Sequence, residues 1–319
     1  MLTALALVLG ILAVRRSPIT SLPELVIAVG APFGSLTVAA FVLVFTVLAR
    51  RIFLSVLTVI VLVASLWVQV SWYYIPRPVD IGQHVDVRVF SSNLRLGRVE
   101  APAFVDLASK HADVVTVSEL TPAAVERYTQ AGMAEHFPYS VLAPSSGADG
   151  IGLWSRYPVT PISGSESRNY TMAAARVQVP GVALQPLIAS VHIESPVSSN
   201  RDTVDNWRIG ISAVQAALSA FSLNVGSGAV IVAGDFNSTP DMRQFRDLLK
   251  SGYRDAVEQT GSGFAPTFPS RAWHPPLLTI DHILTRNAAA SSVETAYVPG
   301  SDHRALLGTI SIPVSPRQP

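Results

Sequence analysis

Two apolar stretches, Leu22–Ala49 and Ile52–Ile75, are separated only by Arg50-Arg51. At about 1.5 Å per residue, each exceeds the roughly 30 Å hydrocarbon core of a bilayer, so both can span it as helices. A buried helical hairpin in a soluble protein would carry more polar residues along one face. Trp67, Trp72, Tyr73 and Tyr74 gather at the end of the second stretch, where an interfacial aromatic belt would sit. Pro32, between Gly30 and Gly34, is expected to kink the first. A shorter apolar run, Leu2–Val14, lacks the basic residues that precede a signal-peptide core, because Arg15 and Arg16 follow it. It reads as a third, short span or as an interfacial helix. Residues 1–75 are therefore expected to form a transmembrane anchor of two or three helices.

The arginines bear on orientation. Arg50-Arg51 sits in a tight turn and belongs on the cytoplasmic side by the positive-inside bias, which puts everything after residue 75 outside the cytoplasm. Arg15-Arg16 argues the other way if all three segments span. The favoured reading is a multi-pass cell-membrane protein with an extracytoplasmic C-terminal domain.

Residues 1–75 hold five charged side chains, Arg15, Arg16, Glu24, Arg50 and Arg51, and the other 40 lie beyond them. A mean hydropathy of +0.37 over the whole chain thus averages an anchor with a domain of ordinary composition. Net charge divides likewise, +3 in the first 75 residues and −2 in the rest. A domain that grips a polynucleotide through many phosphates usually carries a basic surplus, and this one has none. The absence of Cys excludes disulfides, thiolate catalysis and Cys-based zinc sites.

Residues 76–84, with Pro76 and Pro78, read as a short tether. From residue 85 onward, short β-branched runs alternate with helical patterns. Strands are expected at Val85–Phe90, Val114–Val117, Gly150–Trp154, Ala173–Val179, Leu187–Ile193, Ala229–Ala233, Thr279–Thr285 and Leu306–Ile312. Helices are expected at Ala103–His111, Pro122–Gly132, Val204–Leu223 and Met242–Ser251. That mixture implies an α/β or α+β layered sandwich over residues 85–315.

Several of these strands end in chemistry rather than in turn residues. One ends at Asn93, the next at Glu119, a third carries His192, and a fourth carries Asp235 and Asn237. Asp281 lies inside an apolar run, and Asp302 and His303 precede the last strand. A single Asp after a strand is usually a cap or turn former. Six such placements in one domain instead suit Mg²⁺ or Mn²⁺, which takes hard oxygen ligands and keeps positions for water and phosphate. The interleaved His residues can donate to phosphate oxygens or move protons near neutral pH. His282 should point to the opposite face from Asp281 by strand alternation. His274, Asn200, Arg201 and Trp207 are expected near the substrate entrance.

The ordered series Asn93, Glu119, His192, Gly234-Asp235-Phe236-Asn237, Ile280-Asp281-His282 and Ser301-Asp302-His303 resembles the endonuclease/exonuclease/phosphatase, or DNase I-like, superfamily. The resemblance covers about residues 85–312, and Gly152-Leu-Trp-Ser-Arg-Tyr-Pro158 resembles the family's middle strand and following turn. It implies a four-layer sandwich of two central β-sheets flanked by helices, with the active site at one end of the sheets. It also implies roles. Glu119 would be the main metal carboxylate, with Asn93 and Asp302 completing the cation site. Asp235 would orient or deprotonate the attacking water, and Asn237 would help to position it. His192 and His303 would bind the scissile phosphate, and Asp281 would fix the orientation of His303. Ser118 stands where the family commonly has Gln, and Ser91-Ser92 where it usually has a bulkier neighbour.

The resulting expectation is a membrane-anchored, Mg²⁺- or Mn²⁺-dependent phosphoesterase that hydrolyses a phosphodiester or phosphomonoester. The short tether and the charge of −2 favour a lipid or lipid-linked substrate and the bilayer as partner. An extracytoplasmic nuclease is the alternative. A non-catalytic membrane interaction protein is a third reading, opposed by the complete set of acidic and His residues.

Overall fold

The run Val230-Ile-Val-Ala-Gly-Asp235 shows how the domain is assembled. Side chains alternate across a strand, so one buried on both faces reads as a continuous apolar run. Val230 and Val232 enter one core with Trp207 and Phe245, whereas Ile231 and Ala233 enter another with Val87, Val89 and Ile283.

The computed structural model describes residues 2–162, 170–198, 203–271, 273 and 275–315. Three helices come first: α1 (Leu2–Arg16), α2 (Leu22–Leu48) and α3 (Ile52–Tyr73). Then follow β1 (His84–Asn93), α4 (Ala101–His111), β2 (Val114–Ser118), α5 (Pro122–Gln130), α6 (Met133–His136), β3 (Tyr139–Ala143) and β4 (Ile151–Ser155). Next are β5 (Val159–Ile162), β6 (Tyr170–Val177), β7 (Leu187–Ile193), α7 (Thr203–Val225), β8 (Val230–Asp235) and α8 (Arg243–Leu248), which runs into a 3-10 turn at Leu249–Ser251. The chain ends with β9 (Arg254–Asp255), α9 (Ala256–Thr260), β10 (Asp281–Arg286), β11 (Ala289–Tyr297) and β12 (Arg304–Pro313).

Two six-stranded sheets result, ordered β11-β12-β1-β2-β4-β3 and β5-β6-β7-β8-β10-β9. The β1–β2 and β7–β8 pairs are parallel, each joined through a crossover helix, α4 or α7. Phe90, Phe104, Tyr128 and Trp154 fill the core between the first sheet and its helices. Val87, Ile188, Ile231 and Ile310 pack between the sheets. Trp207, Ile211 and Val214 of α7 cover the second sheet. This is the expected helix–sheet–sheet–helix sandwich.

All eight expected strands are present, with ends shifted by up to three residues. The sequence reading did not anticipate β3, β5, β9 and β11, nor the short helices α6 and α9. Helix α2 continues through Pro32.

The N-terminal helices dock on the domain by one end. Ile19, Leu25 and Ala28 join the core around Trp207. Arg15 Nε donates to Asp241 Oδ1 at 2.5 Å, and Gln69 Nε2 donates to the same oxygen at 3.1 Å. Arg246 donates to the Arg15 carbonyl at 2.6 Å, and the Tyr73 hydroxyl pairs with Thr279 Oγ1 at 3.1 Å. The segment after α3 is held as well, since the Arg77 amide donates to the Gln259 carbonyl at 2.9 Å and its guanidinium pairs with Glu258. Away from this joint the helices stand clear. Phe41, Val44, Leu48, Ile52, Phe53, Ile60 and Trp67 are exposed. Helices α2 and α3 are both long and apolar enough to cross a membrane, yet only 33% and 17% of their most apolar windows are buried.

Candidate active site

Strand register brings the polar strand ends to one level. His192 and Asp281 both pair with Asp235 across the second sheet, and Asn93 pairs with Ser118, beside Glu119, in the first. Gly234 permits this closeness, because a Cβ there would lie 1.9 Å from the Val191 carbonyl oxygen. Glu119 and Asn237 both adopt left-handed backbone conformations, with φ of 57° and 45°. Such conformations are uncommon for residues other than Gly and tend to collect at functional positions.

Asn93 joins the two sheets. Its Nδ2 donates to Glu119 Oε1 at 2.9 Å and to Asp235 Oδ2 at 3.0 Å. Its Oδ1 accepts the Arg95 amide at 2.8 Å, and Glu119 Oε2 accepts the Leu96 amide at 2.7 Å. Asp302 faces Arg95, 3.5 Å away. Ser301 Oγ donates to the Asn93 carbonyl at 2.7 Å and accepts the His303 amide at 3.0 Å, which fixes the last motif onto the first.

The second group surrounds Asp235. Asn237 donates its amide to Asp235 Oδ1 at 2.8 Å and its side-chain Nδ2 to the Ile193 carbonyl at 2.9 Å. His192 Nε2 and His303 Nε2 lie 3.9 and 3.8 Å from Asp235 Oδ2. His192 Nδ1 pairs with the Ala148 carbonyl at 3.0 Å, and His303 Nδ1 pairs with Asp281 Oδ2 at 2.8 Å. Burial, then the neighbouring charge of Asp281, push the Asp235 carboxyl up to about 6 against the opposing pull of the two imidazoles. Burial works against a charged His303, but Asp281 and Asp235 outweigh it and hold the imidazole at about 10.

Two sets of groups could hold a cation. Asp235, Asp281 and His303 offer ligand atoms within 4.8 Å of one another. Within that group His303 Nδ1 is already paired with Asp281 Oδ2, and the set mixes imidazole nitrogen with carboxylate oxygen. Asn93, Glu119 and Asp302 can supply an all-oxygen set, with Asn93 buried, Glu119 half-buried and the Asp302 side chain 34% exposed. That donor set fits a hard divalent cation that retains water.

The eight residues expected from sequence therefore come together, six of them through direct bonds or close charge pairs around Asp235 and Asn93. His282 points away as expected, pairing with Asp255 Oδ2 at 2.6 Å and the Ser238 carbonyl at 2.8 Å. Trp207 corrects the expectation of substrate contact. It is fully buried in the core and donates Nε1 to Ser238 Oγ at 3.0 Å. Its stripe of buried neighbours at helical spacing, Gly210, Ile211, Val214 and Leu218, carried that signal. Asn200, Arg201 and His274 lie outside the described residues. The sequence reading missed the amides of Arg95 and Leu96, the Ala148 carbonyl and the Phe268 ring, whose centroid lies 4.9 Å from that of His303. Backbone groups leave no mark in a sequence, although Arg95, two residues after Asn93, was within reach. These groups open into a cleft of about 1280 Å³ that extends to α2.

Residues 90–303 match the Endonuclease/Exonuclease/phosphatase family. No curated protein matches the sequence. Among solved structures, a humanized D. rerio TDP2 is similar with a TM-score of 0.56 and 18% identity, over 70% of this chain and 98% of that one. The 3' phosphatase NExo from Neisseria, bound to a product DNA hairpin, gives 0.54 and 17%, over 70% and 98%. An endonuclease/exonuclease/phosphatase from Beutenbergia cavernae gives 0.52 and 17%, over 71% and 72%. At these identities the likeness concerns the fold. The family match covers more than half of the chain and includes every residue of the cluster, so the chain belongs to the Endonuclease/Exonuclease/phosphatase family of metal-dependent phosphoester hydrolases.

Proposed function

We propose that this chain is a membrane-anchored phosphoesterase that uses water to cleave a phosphodiester or phosphomonoester of a lipid or lipid-linked substrate. The observation that carries this reading is the joint at Asp241. Arg15 of α1 and Gln69 of α3 bind a residue only four positions after Asn237, so the apolar helices and the catalytic loop are held together.

Glu119, Asn93 and Asp302 would hold the metal ion. Bound there, Mg²⁺ or Mn²⁺ supplies charge neutralisation for the scissile phosphate. Asp235, with its carboxyl near 6, is the group to orient a water and take its proton at neutral pH. Asn237 holds the Asp235 carboxylate in place through its amide. His303, protonated on both nitrogens, donates from Nε2 to a phosphate oxygen while Asp281 holds Nδ1. His192 uses Nδ1 on the Ala148 carbonyl, leaving Nε2 free to face the same phosphate. Water adds to phosphorus, and the ester oxygen leaves as an alcohol with the proton.

Helix length and charge favour one orientation. Helix α2 is 27 residues long, so Arg50-Arg51 lie roughly 40 Å from the domain joint at 1.5 Å per residue. Arg15 is paired with Asp241, which reduces its weight in the charge balance. The positive-inside bias then favours a multi-pass cell-membrane protein with residues 85–315 as an extracytoplasmic catalytic domain behind a transmembrane anchor and the 76–84 tether. A C-terminal reporter active only in the cytoplasm would overturn that orientation.

A nuclease is the second reading, favoured by the DNA product in the similar Neisseria structure. Full-length protein with Mg²⁺ is expected to turn over bis-p-nitrophenyl phosphate, with Glu119→Ala about 10²-fold slower at the same Mg²⁺. No turnover would overturn the hydrolase reading. The same protein is expected to cleave phospholipid vesicles and leave plasmid DNA intact, and nicked plasmid beside untouched lipid would reverse the ranking.

A further inference from the structure

The cleft does not end at the catalytic groups. One of its walls is the N-terminal part of α2, formed by Leu25, Val26, Val29 and Gly30, with Val197 from the segment after β7 also lining it. Its volume of about 1280 Å³ exceeds the roughly 300–1,000 Å³ usual for a small-ligand site. One cleft thus joins a charged end at Glu119, Asp235 and His303 to a wholly apolar wall. A Cβ at Gly30 would meet no atom within 4 Å, so the space beside the helix is open to a ligand.

Helix α2 begins at Leu22, so these residues lie about 5–12 Å along its axis. In a spanning helix that depth is the boundary between headgroups and acyl chains. A polynucleotide gains nothing from an apolar wall at that level. A hydrocarbon chain coming from the bilayer stays out of water against such a wall while its phosphate reaches the charged end.

We infer that residues Leu25–Gly30 of α2 are a substrate-binding wall, and that the substrate is a phosphoester carrying a long hydrocarbon chain. The chain lies along Leu25–Gly30 while its phosphate reaches the Asp235 end, and the substrate enters sideways from the bilayer. This rests on the membrane-anchored hydrolase reading above and adds the part of the anchor that recognises substrate.

The test uses the full chain in phosphatidylcholine vesicles with Mg²⁺ and p-nitrophenyl alkyl phosphates from methyl to hexadecyl. Water converts each to the alkyl phosphate and p-nitrophenol. The ratio of kcat/KM for the hexadecyl ester over the methyl ester is expected to fall about tenfold or more in Gly30→Trp. Val44→Trp, on the exposed far part of α2, is expected to keep the wild-type ratio. A Gly30→Trp ratio within about twofold of wild type would overturn the inference. A hexadecyl phosphate with a photoreactive group in mid-chain gives a second readout that needs no turnover and no variant. Labelling of Leu25–Gly30 that unlabelled hexadecyl phosphate displaces supports the wall, and labelling confined to residues 41–48 overturns it. Absence of hydrolysis of every ester, with displaceable labelling intact, would remove the hydrolase reading and leave the wall standing.

Discussion

The two sheets bring different chemistry to their shared end. The sheet built on β1 and β2 delivers the oxygens of buried Asn93 and half-buried Glu119, joined at the entry to β12 by Asp302, whose side chain is 34% exposed. The sheet built on β7, β8 and β10 delivers His192, Asp235 and Asp281, all deeply buried, with the Asp235 carboxyl raised by burial and by the charge of Asp281. Open oxygens suit an exchangeable cation, which must keep water in its shell. An enclosed carboxylate suits proton transfer, because burial moves its pKa up toward neutrality, as at Asp235. His303 belongs by sequence to the first sheet and by hydrogen bond to the second, through Asp281.

If the division is real, variants of the second sheet should lower kcat even at saturating metal, and variants of the first should change the metal requirement. The largest effect is expected for Asp235→Ala, a loss of about 10³-fold in kcat with unchanged metal affinity, read by steady-state kinetics across a Mg²⁺ series. Glu119→Ala should lose about 10²-fold at ordinary Mg²⁺ and weaken cation binding in calorimetry, with partial recovery at high Mg²⁺. Equal metal affinity in both variants would erase the distinction between the sheets. Asp281→Asn should cost about tenfold to a hundredfold in kcat, because it removes the leading attraction that raises the His303 imidazole. Its alkaline limb should move to lower pH, and an unchanged limb would show that His303 does not act as a cation.

The smallest effect lies outside the site and tests stability alone. Asp113 is buried beside Arg88, at 2.7 Å between Oδ1 and the guanidinium Nη2. Burial works against its charge, but the Arg88 hydrogen bonds win and hold the carboxyl below its ordinary value. A depressed folded pKa adds stability above the unfolded value of about 3.9, and that gain is lost as pH falls through the folded value. Asp113→Asn should therefore cost about 1 kcal/mol at pH 7, since the Arg88 side chain is 43% exposed and solvent screens the pair, and the gap should close below about pH 4 in thermal unfolding.

The four strands that went unread, β3, β5, β9 and β11, are the four sheet edges. An edge strand is paired on one side and tolerates polar residues and Pro, so Val159-Thr-Pro-Ile162 and Ala289-Ala-Ser-Ser292 lack a continuous apolar run. The central strands, buried on both faces, announced themselves by such runs and by the acids at their ends. The site was legible because its chemistry sits in side chains at strand termini. Its backbone partners were not, and neither was the wall supplied by α2. Val29 and Val44 look the same in a sequence, although one lines a cleft and the other stands exposed.

The joint between helices and sandwich has a practical consequence for anyone who would study a soluble fragment. A chain started at residue 76 would uncover the side chains that Ile19, Leu25 and Ala28 now cover. It would also strip Asp241 of both Arg15 and Gln69, leaving a carboxylate without its donors beside the catalytic loop. Such a fragment would be prone to self-association through the bared patch, and its inactivity would say little about the intact enzyme. Residues 1–75 are as much a part of the fold as any strand in the sandwich.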